Sequence, residues 1–279
     1  MIKSISFIIC FTLCCILIPF NGLPEEQKAN NQHKKFINSI GMEFVYIPPG
    51  TFTMGPARLD MGYWFAKGFK PFKVTFKQGF YMQTTEVTQK QFSQLMGFNP
   101  SAFQGCGGDC PADNISWENA KKFIKILNEK ENTTKYRLPY EAEWEYACKA
   151  GTTTPFSFGK CIVSNQVNFN GAAMKGCPKS NFPDKTTPVA SYPPNPWGLY
   201  DMHGNVREWC EDRYFTNYKH TPRQYPIKDI DKVMPEAPAR VMRGGYFRDG
   251  AATCRSDNRI EIFPAGAFSS EGFRVVMAP

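Results

Sequence analysis

Cysteine and histidine are the residue types whose spacing bears most directly on chemistry in this chain of 279 residues. Three of the ten cysteines lie within the first fifteen residues, and the other seven follow between Cys106 and Cys254. They include no Cys-x-x-Cys pair, and His33, His203 and His220 lie far apart in the sequence. Zinc and non-haem iron sites need clusters of such ligands, so the sequence argues against both.

The seven later cysteines favour disulfide bonds, which are typical of exported proteins. Cys106 and Cys110 lie in a glycine-rich loop and are predicted to form a small local bridge. Cys161 and Cys177 bracket part of a stretch without periodicity, and a bridge between them would close it. An odd count leaves at least one thiol over, and Cys210, beside a tryptophan, is expected to be buried and inert.

The start of the chain indicates export. An apolar stretch from Ile5 to Phe20 follows one lysine, which predicts a secretory signal over residues 1–22. An uncleaved membrane anchor is the alternative. Residues 23–39 are polar and are interpreted as a flexible linker, whereas residues 40–279 keep a globular composition. We therefore expect a periplasmic or secreted protein, which contacts a membrane only if the N-terminal segment stays uncleaved.

The charge pattern excludes one class of partner. Lys and Arg number 33 against 25 Asp and Glu, which gives a formal net charge of +8. The basic residues are spread along the chain and form no long run. A nucleic-acid-binding protein concentrates its basic residues on one face or in one segment, so no nucleic-acid partner is expected.

Short elements are predicted to position the chemistry. Phe44–Ile47 and Lys73–Lys77 have the composition or alternation of strands. Helices are predicted to begin after Thr88, with a capping box, after Ser116, and at Glu141. Tyr140 precedes the third helix without a capping oxygen. The 22 glycines and 22 prolines, and the lack of periodicity over residues 151–196, predict long irregular segments.

Several sequence blocks occur in the order typical of one family. They are Gly41–Gly55, Glu86–Thr88, Ile115–Trp117, Arg137–Ala147, Gly198–Trp209, Arg243–Gly245 and Gly272–Val275. Together they resemble the formylglycine-generating-enzyme, or sulfatase-modifying-factor, family over residues 40–279. The resemblance implies a single α+β domain related to the C-type-lectin fold, with little regular secondary structure and with support from calcium and disulfides. It also implies copper(I)-dependent oxidation of a substrate cysteine to formylglycine.

The sequence departs from that family at the copper ligands. Family enzymes carry two cysteines, five residues apart, shortly after the glycine pair that here is Gly244–Gly245. The first position is Asp249 in this chain. Cys254 falls on the second position without gaps, but alignment of Arg259 with a family arginine places it near a structural cysteine. The resemblance then implies a disulfide between Cys148 and Cys254.

One sulfur cannot supply the two thiolates of a linear copper(I) site. Copper is therefore not expected, and the catalytic cysteine pair is absent. Cys254 stays the one candidate for a copper-free catalytic residue.

The resemblance also implies calcium sites. The carboxylates of Asp201 and Glu208 would bind Ca²⁺ together with the carbonyls of Gly204 and Val206, as a hard cation requires. The alternative is a turn aspartate and a glutamate paired with a nearby arginine.

A second calcium site would use Asn168 and the carbonyl of Phe169. Its other half is normally an aspartate two residues before an aromatic. That half is not recognisable here, and Asn181 is the nearest match.

The leading functional hypothesis is a binding module. In related lectin-like proteins diversified by retroelements, the C-terminal region forms the ligand surface. The corresponding residues here are Tyr246, Arg248, Asp249, Thr253 and Asp257. Aromatic side chains and arginines are the residues that dominate binding surfaces. The ligand would be a protein, a peptide or a small molecule.

Two enzymatic hypotheses stand beside it. One is a divergent periplasmic oxidase that takes part in the maturation of a peptide or protein. The other is formylglycine generation on a sulfatase cysteine, which the missing sulfur opposes.

Overall fold

The structure, a computed structural model, describes residues 34–56, 70–226 and 236–279. The predicted signal over residues 1–22 lies outside the described residues. Among the described helices, none combines the length and the apolar character needed to cross a membrane.

Strand formation corrects the predicted linker at its C-terminal end. Residues Lys35–Ile37 form the first strand and pair antiparallel with residues 43–45, so they are not a flexible linker. Phe36 stacks on Phe44 with ring centroids 4.9 Å apart, which explains why this polar-looking segment is ordered. The folded part therefore begins before the predicted boundary at residue 40.

The strands are short, and in the described chain they run, in order, β1 Lys35–Ile37, β2 Glu43–Ile47, β3 Gly50–Met54, β4 Phe72–Phe76, β5 Phe80–Gln83, β6 Tyr136–Arg137, β7 Arg207–Arg213, β8 Gln224–Tyr225, β9 Arg240–Arg243, β10 Ile260–Ile262, β11 Glu271–Gly272 and β12 Val276–Met277. They form a five-stranded antiparallel sheet in the order β1-β2-β5-β12-β6. A second sheet has the order β10-β9-β7-β11, and a third the order β3-β4-β8. The strand order mixes early and late segments of the chain, so each sheet depends on long-range pairing.

The helices begin where the sequence predicts. Helix α1 spans Gln89–Met96, and the side chains of Thr88 and Gln91 each accept a hydrogen bond from the other's backbone N–H, at 3.2 and 3.1 Å. This reciprocal pair confirms the capping box. Helix α2 spans Trp117–Lys130 and is capped by Ser116. On α2 the buried side chains are Ala120, Phe123, Ile124 and Leu127, whose spacing places them on one helical face.

Helix α3, Glu141–Lys149, is buried along its whole length. Tyr140 offers no capping oxygen, and two carboxylates replace it. Glu143 accepts from the Tyr140 N–H at 2.9 Å, and Asp212 of β7 accepts from the Glu141 N–H at 2.6 Å. The first backbone N–H groups of a helix have no partners within the helix. The hydrogen bond from the Glu141 N–H to Asp212 satisfies one of them and joins α3 to β7.

The irregular region is confirmed as well. Between α3 and β7 the described chain contains turns and bends but no helix or named strand. Cys161 and Cys177 form the predicted disulfide there, with Cα atoms 5.6 Å apart. Cys106 and Cys110 form the predicted local bridge, with Cα atoms 5.8 Å apart. Both bridges restrict loops that have little regular structure to hold them.

Candidate functional site

Asp249, the residue at the expected position of the first copper cysteine, is paired with Arg207. The Nε and Nη2 atoms of Arg207 donate to the Asp249 carboxylate at 3.0 to 3.1 Å, and the two side chains are only 17% and 15% exposed. The Arg207 guanidinium also lies 4.3 Å from the centroid of the Tyr246 ring. Partial burial raises the pKa of Asp249, and the charge of Arg207 opposes that rise. This is a two-pronged ion pair of the kind that fixes geometry.

A second ion pair lies next to the first and faces solvent. Arg248 donates to Asp184 at 2.5 Å, and both side chains are about half exposed. The side chain of Asn170 donates to the Arg248 carbonyl at 2.9 Å, which ties this loop to the irregular region. We call Tyr246, Arg248 and Asp249, with their partners Arg207 and Asp184, the 246–249 surface.

Two residues of the predicted ligand-binding set do not join this surface. Asp257 is enclosed with Arg255 in an ion pair whose side chains are only 7% and 8% exposed. Thr253 is half-buried, and its backbone N–H donates to the Gly250 carbonyl within its own turn. Asp257 is therefore a structural residue, and the prediction is corrected there because its charge is satisfied inside the fold.

The predicted Cys148–Cys254 disulfide is wrong, since both residues are free, buried thiols. His203 contacts both residues. Its ring nitrogens lie 3.7 and 3.9 Å from the Cys148 sulfur, and its Nδ1 lies 2.8 Å from the Cys254 carbonyl oxygen. Nδ1 must donate to that carbonyl, so Nε2 accepts from the Ser157 N–H at 3.1 Å. Burial lowers the pKa of His203 to about 4, so the ring is neutral.

The chemistry of these thiols follows from their burial. Burial raises the pKa of the Cys148 and Cys254 thiols well above the usual range. The thiolate is the nucleophilic form of cysteine, so this burial opposes a nucleophilic role for Cys148 and Cys254. Cys210 is also free and buried, as predicted, and its pKa is raised in the same way.

At the first predicted calcium site, Glu208 is committed to other partners. Its carboxylate accepts from Arg274 at 2.6 and 2.7 Å and from the Trp144 indole N–H at 2.7 Å. Asp201 accepts from the Ala190 N–H at 2.8 Å. Among the described residues, no three His, Cys, Asp or Glu side chains form a metal-holding group. Glu208 is thus paired with an arginine, as the alternative interpretation holds, and calcium at this position stays a prediction.

Two neighbouring positions do present oxygens that a cation would satisfy. Glu86 is fully buried, and neither of its carboxylate oxygens has a hydrogen-bond partner. Burial and the charge of Asp201 raise the pKa of Glu86. At the second predicted calcium site, the Oδ1 atom of Asn168 is likewise buried without a partner. Oxygen ligands of this kind suit Ca²⁺, so Asn168 fits the predicted role, whereas Asn181 is exposed.

The ion-pair partners of the site lie far away in sequence, and the sequence patterns did not identify them. Arg207, Arg274 and Asp184 complete the ion pairs described above. One signal was available, because an acidic residue at a partly enclosed position requires a cation nearby. Nothing in the spacing could have identified which arginine that would be.

Curated relatives and a solved structure show where the chain belongs. Its 169 residues aligned with the serine/threonine-protein kinase pkn1 of Chlamydia caviae are 36% identical, and they cover 59% of this chain but 23% of that protein. The formylglycine-generating enzyme of Mycobacterium tuberculosis is 36% identical over 159 residues, which are 51% of each chain. The chain thus spans about a quarter of the kinase and half of the enzyme.

The structure of PvdO from Pseudomonas aeruginosa matches with a TM-score of 0.72 and 26% identity, covering 88% of this chain and 98% of that one. This likeness confirms the predicted α+β fold. The family model for the sulfatase-modifying factor enzyme 1-like domain matches residues 29–279. The blocks, the fold and this match agree, and the chain belongs to the sulfatase-modifying factor enzyme 1-like domain family.

Proposed function

We propose that this chain is an exported, atypical member of its family that binds a protein or peptide ligand through the 246–249 surface. The observation that carries the proposal is the Arg207–Asp249 ion pair. A carboxylate held by an arginine stands where the family's copper site needs a thiolate, and it leaves no sulfur there to bind soft copper(I).

The remaining thiols do not replace the missing ligand. Cys254 and Cys148 are fully buried and unbonded to each other, and His203 contacts both. A linear copper(I) site needs two thiolates, and Asp249 takes the position of one of them. Without the catalytic cysteine pair, this loop does not have to hold two thiolates in place for copper. Its side chains are therefore available to bind a ligand.

The surface offers a ligand the groups that dominate protein interfaces. Tyr246 is half-buried against Arg207, so its ring is held rigidly at little entropic cost. Arg248 and its partner Asp184 are both exposed, so Arg248 can exchange Asp184 for a group of the ligand. Two phenylalanines, Phe182 and Phe268, are exposed. Phe182 lies close to Asp184 in the sequence. Phe268 lies close to Ser270, whose backbone carbonyl accepts from the Arg207 N–H. Aromatic residues with arginine favour a protein or peptide partner.

Copper chemistry supplies the first test. The purified protein is titrated with copper(I), and oxygen consumption is followed with a Cys-x-Pro-x-Arg peptide. We expect no turnover, and the same weak copper binding for the wild type and Cys254→Ser. Tight copper binding that Cys254→Ser abolishes, or peptide-dependent oxygen consumption, would overturn the proposal and restore an oxidase.

Recognition supplies the second test. Peptides are selected from a display library against the wild-type protein and then measured against single variants. We expect Tyr246→Ala and Arg248→Glu to weaken binding about tenfold or more, as removal of a central binding residue does. Lys125→Glu, an equally large charge reversal on helix α2, is the matched control and should leave binding unchanged. Equal affinity for all variants would place the binding surface elsewhere.

The proposed export and calcium binding each have support and a test. The two disulfides are typical of an oxidising compartment, and fractionation of the producing cells would show the location.

The unpartnered Oδ1 atom of Asn168 supports calcium at the second site. We expect calcium, but not magnesium, to raise the melting temperature, and Asn168→Ala to remove that effect. A melting temperature indifferent to calcium contradicts this part alone.

A further inference from the structure

A cavity of about 340 Å³ opens on the side of the fold formed by β3 and the C-terminal end of α3. It shares no lining residue with the 246–249 surface. The side chains used in the argument below are Phe52, Lys73, Tyr146, Lys149, Thr153 and Trp197. Cavities of a few hundred cubic ångströms hold ligands the size of one sugar or amino acid. We call it the Lys149 pocket.

Aromatic rings form one wall of the Lys149 pocket. The ring of Tyr146 lies 5.2 Å from that of Phe52 and 4.8 Å from that of Trp197, measured between centroids. Tyr146 is held in place because its hydroxyl donates to the Pro48 carbonyl at 3.2 Å. An added Cβ at Gly50 would lie 2.4 Å from that hydroxyl, so glycine is required there. The wall is therefore preformed.

The charged residues in the described part of the pocket lining are both lysines. The Lys149 ammonium is buried and donates to the carbonyls of Thr53 and Gly55 and to Glu145, at 2.9, 3.2 and 2.6 Å. These three bonds fix it as the floor, and Glu145 balances its charge. Lys73 is exposed on β4 and pairs in register with Thr53 across the β3–β4 ladder. None of the described lining residues is Asp or Glu, so the charge of Lys73 favours an anion there.

Hydroxyl groups form the rest of the lining. Four threonines contribute them, namely Thr51, Thr53, Thr152 and Thr153. A hydroxyl both donates and accepts, which matches a ligand that carries several hydroxyls of its own. The hydroxyls of Thr51 and Thr152 already bond Thr75 and the Lys149 carbonyl, at 2.9 and 2.8 Å. Thr53 and Thr153 therefore supply the hydroxyls that a purely aromatic acid would cover without satisfying, at a cost in free energy.

We propose that the Lys149 pocket binds an acidic sugar, a pyranose ring that carries a carboxylate. The C–H face of the ring contacts the aromatic wall, the threonine hydroxyls bond the sugar hydroxyls, and Lys73 pairs with the carboxylate. Lys149 serves as a fixed floor, since its three donors are used within the protein and its charge is paired with Glu145. The site is independent of the 246–249 surface, and its existence does not rest on the function proposed for that surface.

The test uses the full chain with glucuronate and galacturonate as probes and methyl glucoside as the neutral comparison. Binding is followed by saturation-transfer NMR and calorimetry. We expect a uronate to bind, methyl glucoside to bind at least tenfold more weakly, and 0.5 M salt to weaken uronate binding. We expect Lys73→Gln to weaken it about fivefold, the range of a partly exposed ion pair.

Lys77→Gln is the matched control, because Lys77 is an exposed lysine just beyond the end of the same strand and does not line the pocket. It should change affinity less than twofold. Thr153→Val is a second probe that removes one exposed hydroxyl and leaves the charge intact. Three outcomes overturn the proposal: no uronate binding at millimolar concentration, equal binding of the neutral sugar, or equal effects of Lys73→Gln and Lys77→Gln.

Discussion

Two regions of the molecule use the same arginine–carboxylate chemistry in opposite surroundings. Around helix α3, Arg243 pairs with Glu141 and Glu145, and all three side chains are 0% exposed. On the 246–249 surface, Arg248 and Asp184 pair while about half exposed. The two regions are adjacent in the chain. Gly244 and Gly245 follow the buried Arg243, and the surface residue Tyr246 comes directly after them.

The difference in burial decides what each region can do. A charge in the interior loses its water and depends on its partner, so removal of either member leaves an uncompensated charge. On the surface, water replaces a lost partner at little cost. The buried network thus fixes α3 against β9. In the neighbouring loop, side chains can be substituted with little loss of stability. This contrast is the physical reason to place recognition on the loop.

The largest effect is expected from breaking the buried network. Arg243→Met removes the cation that Glu141 and Glu145 share, which leaves them buried with Arg259 and Lys149 alone, and should lower the free energy of unfolding by about 3 kcal/mol. Urea denaturation followed by tryptophan fluorescence measures it. A loss under about 1 kcal/mol would mean that water reaches these carboxylates and that the contrast between the regions is false.

The protonation of Asp212 sharpens the description of the buried region. Burial, together with Glu141 beside it, raises the pKa of Asp212 to about 7, far above its value in the unfolded chain. Between about pH 4 and pH 7 the folded state therefore binds more protons, and the free energy of unfolding falls as the pH rises. Asp212→Asn cannot ionise and keeps a carbonyl oxygen for the Glu141 N–H.

We accordingly expect the wild type to lose about 1–3 kcal/mol more than Asp212→Asn between pH 5 and pH 7.5. His203, whose pKa burial lowers to about 4, contributes an opposite slope, but it does so equally in both proteins. Denaturation curves at several pH values provide the comparison. Parallel curves for the two proteins would show that Asp212 is ionised in the fold.

An intermediate effect is expected where burial is intermediate. Asp249→Ala removes the partner of Arg207, whose side chain is 17% exposed, and should cost about 1 kcal/mol. A double-mutant cycle with Arg207→Met isolates the interaction between the two side chains. A coupling energy indistinguishable from zero would mean that the pair does not organise the surface.

The smallest effect on stability is expected at Arg248. Arg248→Met should leave the unfolding midpoint unchanged, because solvent already screens its pairing with Asp184. The same variant should nevertheless weaken binding of the selected peptides. A shift of the midpoint comparable with that of Asp249→Ala would contradict the division between structural and recognition charges.

Local signals explain which parts of the fold could be predicted. The capping residues Thr88 and Ser116 lie within three residues of the groups they satisfy, so sequence spacing alone reveals them. The short disulfide between Cys106 and Cys110 is local in the same sense. Strand β1 was missed because its pairing with β2 and the stacking of Phe36 on Phe44 outweigh a polar composition.

The candidate site was less predictable because its partners come from distant segments. Arg274 reaches Glu208 from a distant segment of the chain, and His203 contacts both of the cysteines that the family resemblance would join. An aspartate at position 249, where the resemblance implies a copper cysteine, can be read from the sequence, but only the fold shows that Arg207 balances its charge. The missing sulfur is therefore visible at one position, whereas the contact that Asp249 makes is not.

Strand β12 has a consequence for how the protein folds. Val276 pairs with Met82 on one side and with Arg137 on the other, so β12 lies between β5 and β6 in the five-stranded sheet. Until that segment has been synthesised, β5 and β6 lack their common neighbour, and loop closure must span most of the domain. We therefore expect slow folding in which this sheet is completed only after β12 has been synthesised.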